Sequence, residues 1–462
     1  MQKVTAIFDI GKTNKKFFLF DENFKEVFRE YRKFETIKDE DGYETDQLQA
    51  IQIWAKALFD RIMKTEKYDV KAINFSTYGA TLVHLDLYGK PLTPLYNYTK
   101  PIEKSIYQDL FEIYGGEDEL SVQTASPSSG MLSSGLQLYW LKKTQPAIFE
   151  QVKYSLHLPQ YMSYIFTGIP VSEYTSLGCH TMMWDFESGD YHDWVYEEGI
   201  AAKLGPLVDT DVSINMNYDD RKIRVGVGIH DSSAALIPYL KGSKKPFTLI
   251  STGTWSIALN PYSKHHLSVS ELKSDCLNYM TIDGSMVRAS RLFLGQEYQI
   301  QNQKLSNHFD KPADFHKDVK FNAEVYEQQK LNNENSFSFD VIETERDQPE
   351  NTDLNQFDTF EAAYHRLMIE LVDTQVQHLK YIEGDTDQRI FVDGGFVDNE
   401  LFVEVLGQRF PRRKILTSKS ALGSSLGAAM VISDQEIGKK FLKKKYGVKK
   451  HKPLILSNFE DG

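Results

Sequence analysis

Val4-Thr5-Ala6-Ile7-Phe8-Asp9-Ile10-Gly11-Lys12-Thr13-Asn14-Lys15-Lys16-Phe17-Phe18-Leu19-Phe20 decides the fold of this chain. An apolar run enters a small-residue turn, Asp9 to Asn14. A second aromatic and apolar run leaves it and stops at Asp21-Glu22-Asn23. Apolar and aromatic residues bounded by Asn and Asp mark a strand. The stretch therefore predicts strand, turn, strand, with a hairpin tip whose N–H and hydroxyl groups suit phosphate. Ala6 to Thr13 also matches a P-loop if the opening glycine is relaxed to alanine, but a P-loop needs a helix directly after Lys12-Thr13. A purely structural hairpin is the third alternative. It leaves unexplained the acidic Asp9 just ahead of Gly11, where a carboxylate can hold Mg2+ near phosphate.

Ser251-Thr252-Gly253-Thr254-Trp255 repeats the arrangement in mid-chain, behind Phe247, Leu249 and Ile250. Two such turns, one in each half, predict two similar domains gripping one polyphosphate from both sides. Further strands are expected at 70–76, 82–86, 223–228 and 389–392, and helices at 47–64 (with Asp46 as N-cap), through much of 100–165, at 234–239 and at 359–382. Residues 301–360 are polar and read as a solvated, partly helical excursion. The eight lysines from Lys439 to Lys452 predict a solvated terminal helix rather than a nucleic-acid patch. Strands mixed with helices in two similar halves fit two α/β domains with a cleft between them.

Bulk properties narrow the function. A chain of 462 residues is too long for one ordinary core. With 41% hydrophobic and 26% charged residues it has the balance of a soluble globular protein. A net charge of −12 argues against nucleic acid or an anionic membrane as partner. Cys179 and Cys276 lack metal-ligand spacing, and free thiols fit a cytoplasmic location. No signal peptide or membrane-length apolar run is evident. The 12 histidines are scattered, and no His/Cys cluster points to zinc. A monomer and a homodimer both remain compatible with the sequence.

Taken in order, six segments resemble the FGGY family of carbohydrate kinases, within the actin-like ATPase superfamily, over nearly the whole chain. Asp9 to Asn14 is similar to the first phosphate loop. Gly79 to Asp86 resembles the early sugar-contacting segment. Leu138 to Gly168 resembles the helical stretch that ends in a Leu-Thr-Gly-type turn. Gly228-Ile229-His230-Asp231 matches the segment of the catalytic aspartate, and Ser251 to Trp255 the second phosphate loop. Asp393-Gly394-Gly395-Phe396 with Asn399, then Gly423 and Gly427, resembles the adenosine segment. Gln137, Gln160 and Phe396 depart from the family's usual lysine, aspartate and glycine, and no acidic residue precedes Ala421. The resemblance implies two actin-like (ribonuclease H-like) domains, residues 1–225 with the sugar site and first phosphate loop, and 226–462 with the base, second phosphate loop and adenosine site. They would meet near residues 222–230 and close on nucleotide and sugar together.

It also implies roles. Asp231 would be the catalytic base; on its residues alone, an aspartate before Ser-Ser-Ala-Ala is equally a helix N-cap. Asp9 would hold Mg2+, or be a plain turn aspartate. Thr13, Asn14, Thr252 and Thr254, with the backbone near Gly11 and Gly253, would donate to phosphate oxygens of ATP. Lys12 would meet the γ-phosphate or be solvated. Gly394, Gly395, Phe396 and Asn399 would pack the adenosine, closed by Gly423. Tyr78, Gly79, Ala80, Asp231 and Arg291 would line the sugar pocket. His230 would bond a sugar hydroxyl or be structural. His-Asp together with Gly-Thr-Trp resembles the rhamnulokinase and fuculokinase branch. That implies ATP-dependent phosphorylation of L-rhamnulose at its 1-hydroxyl, with L-fuculose or a xylulose-type pentulose as the alternative. A non-catalytic actin-like sugar or nucleotide sensor is the alternative of another class.

Overall fold

The computed structural model describes residues 1–454 apart from 333, 343–346, 385–388, 419–421, 436 and 439. Ala421 and Lys439 therefore lie outside the described residues. The chain opens on β1 (Gln2–Ile10), β2 (Lys15–Asp21) and β3 (Glu26–Arg32), an antiparallel meander. Ile10 pairs with Lys15, so the Gly11 turn is a hairpin tip, and no helix follows Thr13. After α1 (Leu48–Met63), β4 (Tyr68–Thr77) lies parallel to β1. β1 is covered on both faces, which is why it reads as a nearly unbroken apolar run. Phe8 alone meets the rings of Phe17, Trp54, Phe75 and Phe166.

A largely helical excursion carries α2 (Ser134–Thr144) and α3 (Leu158–Thr167). The chain returns as β5 (Ser213–Tyr218), β6 (Arg221–Gly226) and β7 (Ile229–His230). The first sheet runs β5-β6-β4-β1-β2-β3, with β7 also on β4. The strand pairs thus keep Ile229 and His230 with the first sheet, past the 225/226 boundary.

The second half holds α4 (Asp231–Gly242), β8 (Thr248–Thr252), β9 (Ser256–Asn260), β10 (Cys276–Met280), β11 (Met286–Leu292), α5 (Leu294–His308), α6 (Phe360–Tyr381), β12 (Arg389–Gly394), α7 (Glu400–Arg409), β13 (Lys414–Ser418), α8 (Gly423–Val431) and β14 (Lys449–Lys450). Its sheet runs β10-β11-β9-β8-β12-β13-β14. β8 is antiparallel to β9 and parallel to β12, which is parallel to β13. β1 stands in the same relation to β2, β4 and, through β4, β6. The two halves are one architecture used twice.

Helices α4 and α8 are held between the two sheets. One core cluster joins Ile7, Phe18 and Phe20 of the first sheet, Leu249 and Phe391 of the second, and Ala234, Leu236, Ala428 and Ala429 of the helices. The helices cross where Gly427 lies against the Ala234 carbonyl, with no space for a β-carbon. Asn74 of β4 reaches both crossings of the chain between domains: its Nδ2 donates to Ala428 O (2.9 Å), and its Oδ1 accepts from Gly228 N (3.1 Å).

Three expectations are corrected. Asp46 does not cap α1; Gln47 occupies that position without a side-chain cap, because Lys15 and Tyr78 bind the Asp46 carboxylate. The lysine-rich end is not a solvated helix. Phe441–Lys444 makes one turn, and Lys449–Lys450 pairs as an edge strand with β13. The 301–360 excursion is partly helical, as expected, but it also buries Tyr326, Phe337 and Phe357 in the second domain's core. Among the described residues no helix is long and apolar enough to cross a membrane.

The helix crossing yields the first test. Gly427→Ala forces a methyl against backbone, which cannot rotate away, and overpacking of this kind costs roughly 1–3 kcal/mol. The denaturation midpoint should fall accordingly. Gly438, with nothing near its β-carbon position, should accept alanine with little change. Equal midpoints for the two variants would reject the tight crossing.

Candidate active site

Strand ends assemble the site. Ile10 and His230 both pair with Thr77, so the Gly11 turn, the Tyr78–Ala80 loop and Asp231 emerge together at one rim of the first sheet. Thr252 pairs with Gly394, which does the same for the two glycine turns of the second. Ligands in open α/β sheets sit at such carboxyl ends.

Asp231 is the first residue inside α4. The N-cap is His230, whose side chain caps nothing, so Asp231 is not the N-cap. A third of its side chain is exposed (34%). Desolvation, then repulsion from Asp9, pushes its pKa up to about 7. Asp9, at the end of β1, accepts from Ser424 Oγ (3.0 Å) and Ser425 Oγ (2.7 Å) of α8. Lys16 Nζ lies 3.6 Å from it. Two carboxylates and one lysine therefore meet between the domains.

The first phosphate turn is braced from behind. Gly11 N–H donates to Asn14 O (3.0 Å), and Thr13 is exposed at the tip. Lys12 is not free. Its Nζ is 3.3 Å from Asp46 Oδ2 and lies over the rings of Tyr78 and Tyr98 at 5.3 and 5.4 Å. Lys15, wholly buried, donates to Asp46 Oδ1 (2.6 Å) and Lys12 O (2.9 Å). Burial alone would raise the Asp46 pKa; Lys12, Lys15 and the Tyr78 hydroxyl outweigh it and hold the carboxyl below its usual range. Tyr78 is thus spent on Asp46 through its hydroxyl and flanks Lys12 through its ring.

Gly79 lies against Cys179 and His230, where a β-carbon would come within 3.0 Å of Cys179 Sγ. Ala80 has a left-handed φ of 55°, and its carbonyl accepts from Gln137 Nε2 (2.5 Å). His230 is buried. Its Nε2 lies 3.1 Å from Cys179 Sγ and 3.2 Å from Asp231 Oδ1. Burial first, and His157 second, push its pKa down to about 3. Tyr279 and His180 pack their rings on it, with centroids 5.5 and 6.3 Å away. Arg291 is locked to Asp275 (Nε to Oδ2, 3.0 Å), at the back of this cluster. Cys179, His180 and His230 come together as a possible ligand set, although the sequence reading expected no His/Cys cluster. His230 lies far from Cys179 and His180 in sequence, so spacing could not reveal it.

The second turn is exposed at Gly253, Thr254 and Trp255, with Gly253 N–H donating to Trp255 O (2.8 Å). Thr252 Oγ1 donates to Asp393 O (2.5 Å) and accepts from Phe396 N (3.0 Å). That hydroxyl ties the second phosphate turn to the Gly394 turn. Beside them lies a cavity of about 850 Å³ lined by Gly253, Gly295, Tyr298, Asn302, His316, Gly395, Phe396 and Asn399, among others. Asn399 caps α7 and donates to Tyr364 (2.8 Å) and Tyr298 (3.2 Å) hydroxyls, so it positions Tyr298. Gly423 lies instead at the start of α8, near Ala235 and Tyr446. Gly394, with φ 87°, is pressed against Thr252 backbone. Tyr298, Asn302 and His316 were missed because they fall in or beside the polar excursion. Ser424 and Ser425 were missed because hydroxyls at a helix start carry no distinctive pattern.

The residues present fit a nucleoside triphosphate and Mg2+. Each sheet ends in a glycine turn, an aromatic and amide-lined cavity adjoins the second of them, and Asp9 and Asp231 offer hard oxygen donors.

Comparison with known proteins agrees with this geometry. The profile of the FGGY family of carbohydrate kinases, N-terminal domain, matches residues 4–210, and that of carbohydrate kinase FGGY, C-terminal domain, residues 244–440. A rhamnulokinase from Oceanobacillus iheyensis is 22% identical over 204 residues, 41% of this chain and 41% of that relative's length. The crystal structure of a carbohydrate kinase from Novosphingobium aromaticivorans superposes with a TM-score of 0.77 at 22% identity, covering 98% of this chain and 95% of that one. Ligand-bound xylulose kinase from Lactobacillus acidophilus gives 0.75 at 16% identity, covering 97% and 93%. The last two share the fold.

The Asp46 cluster gives a stability test. Asp46→Asn leaves buried Lys15 without its carboxylate, and breaking such a pair costs about 3–5 kcal/mol. Because the Asp46 pKa is depressed in the folded state, its contribution is full above the unfolded carboxyl pKa and is lost as pH falls below about 4. The gap between wild type and Asp46→Asn in urea melts should be constant at neutral pH and narrow on the acid side. A gap independent of pH would refute the ionised pair.

Proposed function

The chain belongs to the FGGY family of carbohydrate kinases, and from that premise we propose that it transfers the γ-phosphoryl group of ATP to a hydroxyl of a small ketose. L-rhamnulose, at its 1-hydroxyl, is the acceptor the His230–Asp231 and Gly253-Thr254-Trp255 pairing favours. The partial likeness to a rhamnulokinase supports that choice over L-fuculose or a pentulose such as xylulose.

One observation carries the proposal: a partly exposed carboxyl, Asp231, with its pKa raised to about 7, on the rim that also carries the Gly11 turn. Phosphoryl transfer to an alcohol is mostly positioning, plus a carboxylate to orient the hydroxyl and take its proton. Asp231 would do both, and its raised pKa is matched to accepting a proton near neutrality. ATP would supply the phosphoryl group, and Mg2+ held at Asp9 would offset its charge. His230, neutral and buried, would fix the acceptor beside Asp231, while Gly79 lets the backbone close against it. The glycine turns at Gly11 and Gly253 would hold phosphate oxygens, and the Tyr298–Phe396 cavity the base. A sensor without chemistry has no use for a carboxyl tuned this way.

A panel of ketoses with ATP and Mg2+, scored for sugar phosphate, tests the reaction class and the sugar at once. Product from no ketose would sink it. Asp231→Asn should lower turnover by roughly 10²–10⁴ while nucleotide affinity, measured by calorimetry, changes little; near-normal turnover would reject Asp231 as base. The base must be ionised to work, so kcat/KM for the ketose should drop about tenfold per pH unit below about pH 7. His230 stays neutral over that range and does not produce the drop. A flat profile down to about pH 5.5 would contradict the assignment.

A further inference from the structure

The sugar side of the cleft carries donors that phosphoryl transfer does not use. Cys179, His180 and His230 are all buried, and one ligating atom from each lies within 4.8 Å of the others. We propose that these three side chains, with Asp231 as fourth donor, form a binding site for a zinc-type, thiol-seeking divalent cation, and that an ion held there blocks the acceptor pocket.

The donor set and its spacing support this. One thiolate, two imidazoles and one carboxylate make a four-coordinate zinc set, with bonds of roughly 2.0–2.3 Å that place neighbouring donors about 3.3–3.6 Å apart. His230 Nε2 lies 3.1 Å from Cys179 Sγ and 3.2 Å from Asp231 Oδ1, a set that opens to those spacings by small side-chain rotations. His180 keeps one nitrogen available to ligate. Its Nδ1 lies 2.7 Å from Leu132 O, so the proton sits on Nδ1 and Nε2 presents its lone pair, as an outer-shell carbonyl does for metal-binding histidines. Its backbone is held in the left-handed region, at φ 41°, an arrangement that costs energy in a non-glycine residue and clusters at functional sites. His230 Nε2 carries the proton it gives to Asp231 Oδ1, and its Nδ1, buried with no hydrogen-bond partner, takes that proton when Nε2 ligates. Asp231, a third exposed, leaves a path from the cleft.

The charges balance. A divalent ion meets one carboxylate and one thiolate, and the thiol proton leaves to solvent on coordination. No electron changes hands. The ion would take the Nε2 lone pair of His230 and the oxygen with which Asp231 accepts a proton. Inhibition competitive with the ketose follows, and that consequence alone rests on the kinase function proposed above.

Cobalt is the probe. Adding Co2+ to the metal-free full chain should give the near-ultraviolet thiolate-to-cobalt band and the strong visible bands of a four-coordinate ion, at one ion per chain, displaced by Zn2+. Cys179→Ser should lose the near-ultraviolet band, His180→Gln should weaken the visible ones, and Cys276→Ser should keep both. No band in the wild type, or an undiminished band in Cys179→Ser, would overturn the site whatever the fold of the His180 variant. In turnover assays Zn2+ should raise KM for the ketose without changing kcat, an effect lost in Cys179→Ser. A cobalt band without such inhibition would overturn the blocking claim. Failure to phosphorylate any ketose would overturn the kinase proposal and leave the spectra to decide the metal.

Discussion

The close crossing of α4 and α8, at Gly427 against the Ala234 carbonyl, is the constraint on which the site depends. Helices approach this far only where a side chain is absent. The contact fixes the start of α4, and so Asp231, relative to the start of α8, and so Ser424 and Ser425. Those hydroxyls hold Asp9 at the end of β1. One missing methyl thereby sets the distance between two carboxylates, one from each half of the chain. Their mutual repulsion, added to desolvation, keeps Asp231 tuned near neutrality.

Much of the fold was legible because it is local. The Gly11 turn reads as a hairpin from Phe17-Phe18-Leu19-Phe20, and Ile10 does pair with Lys15. The strand at 389–392, the helix at 359–382 and the restart near 225 follow from periodicity that packing reinforces. Where the sequence misled, a distant partner won. Asp46 has every property of an N-cap, but a buried lysine outbids helix N–H groups for a carboxylate. The lysine-rich end pairs with β13, because the edge of the second sheet offers backbone partners that an isolated short helix lacks.

The site was legible in its glycines and carboxylates and not in what surrounds them. Gly253, Gly395 and Phe396 do share one cavity. Asp9 and Asp231 do face one another electrostatically. Lys12, by contrast, is held by Asp46 under two tyrosine rings, a role no local pattern announces. Asn399 turns out to steady Tyr298 rather than face the cavity alone. Gln137, where the family's usual lysine is missing, carries the Ala80 carbonyl and so shapes the loop that the acceptor would meet. Contacts of this kind join residues tens to hundreds of positions apart, and single-sequence patterns are blind to them.

Asn74 has a mechanical consequence. Its two amide atoms grip the chain where it leaves the first domain, at Gly228, and where it comes back against it, at Ala428. Both grips sit on one fully buried side chain of one central strand, so the two crossings cannot drift apart without stranding an amide atom where water does not reach. Leaving such an atom unpaired costs about 1–3 kcal/mol. The joint between the halves is thus latched by a neutral group, and salt, which loosens exposed ion pairs, has no charge to screen there.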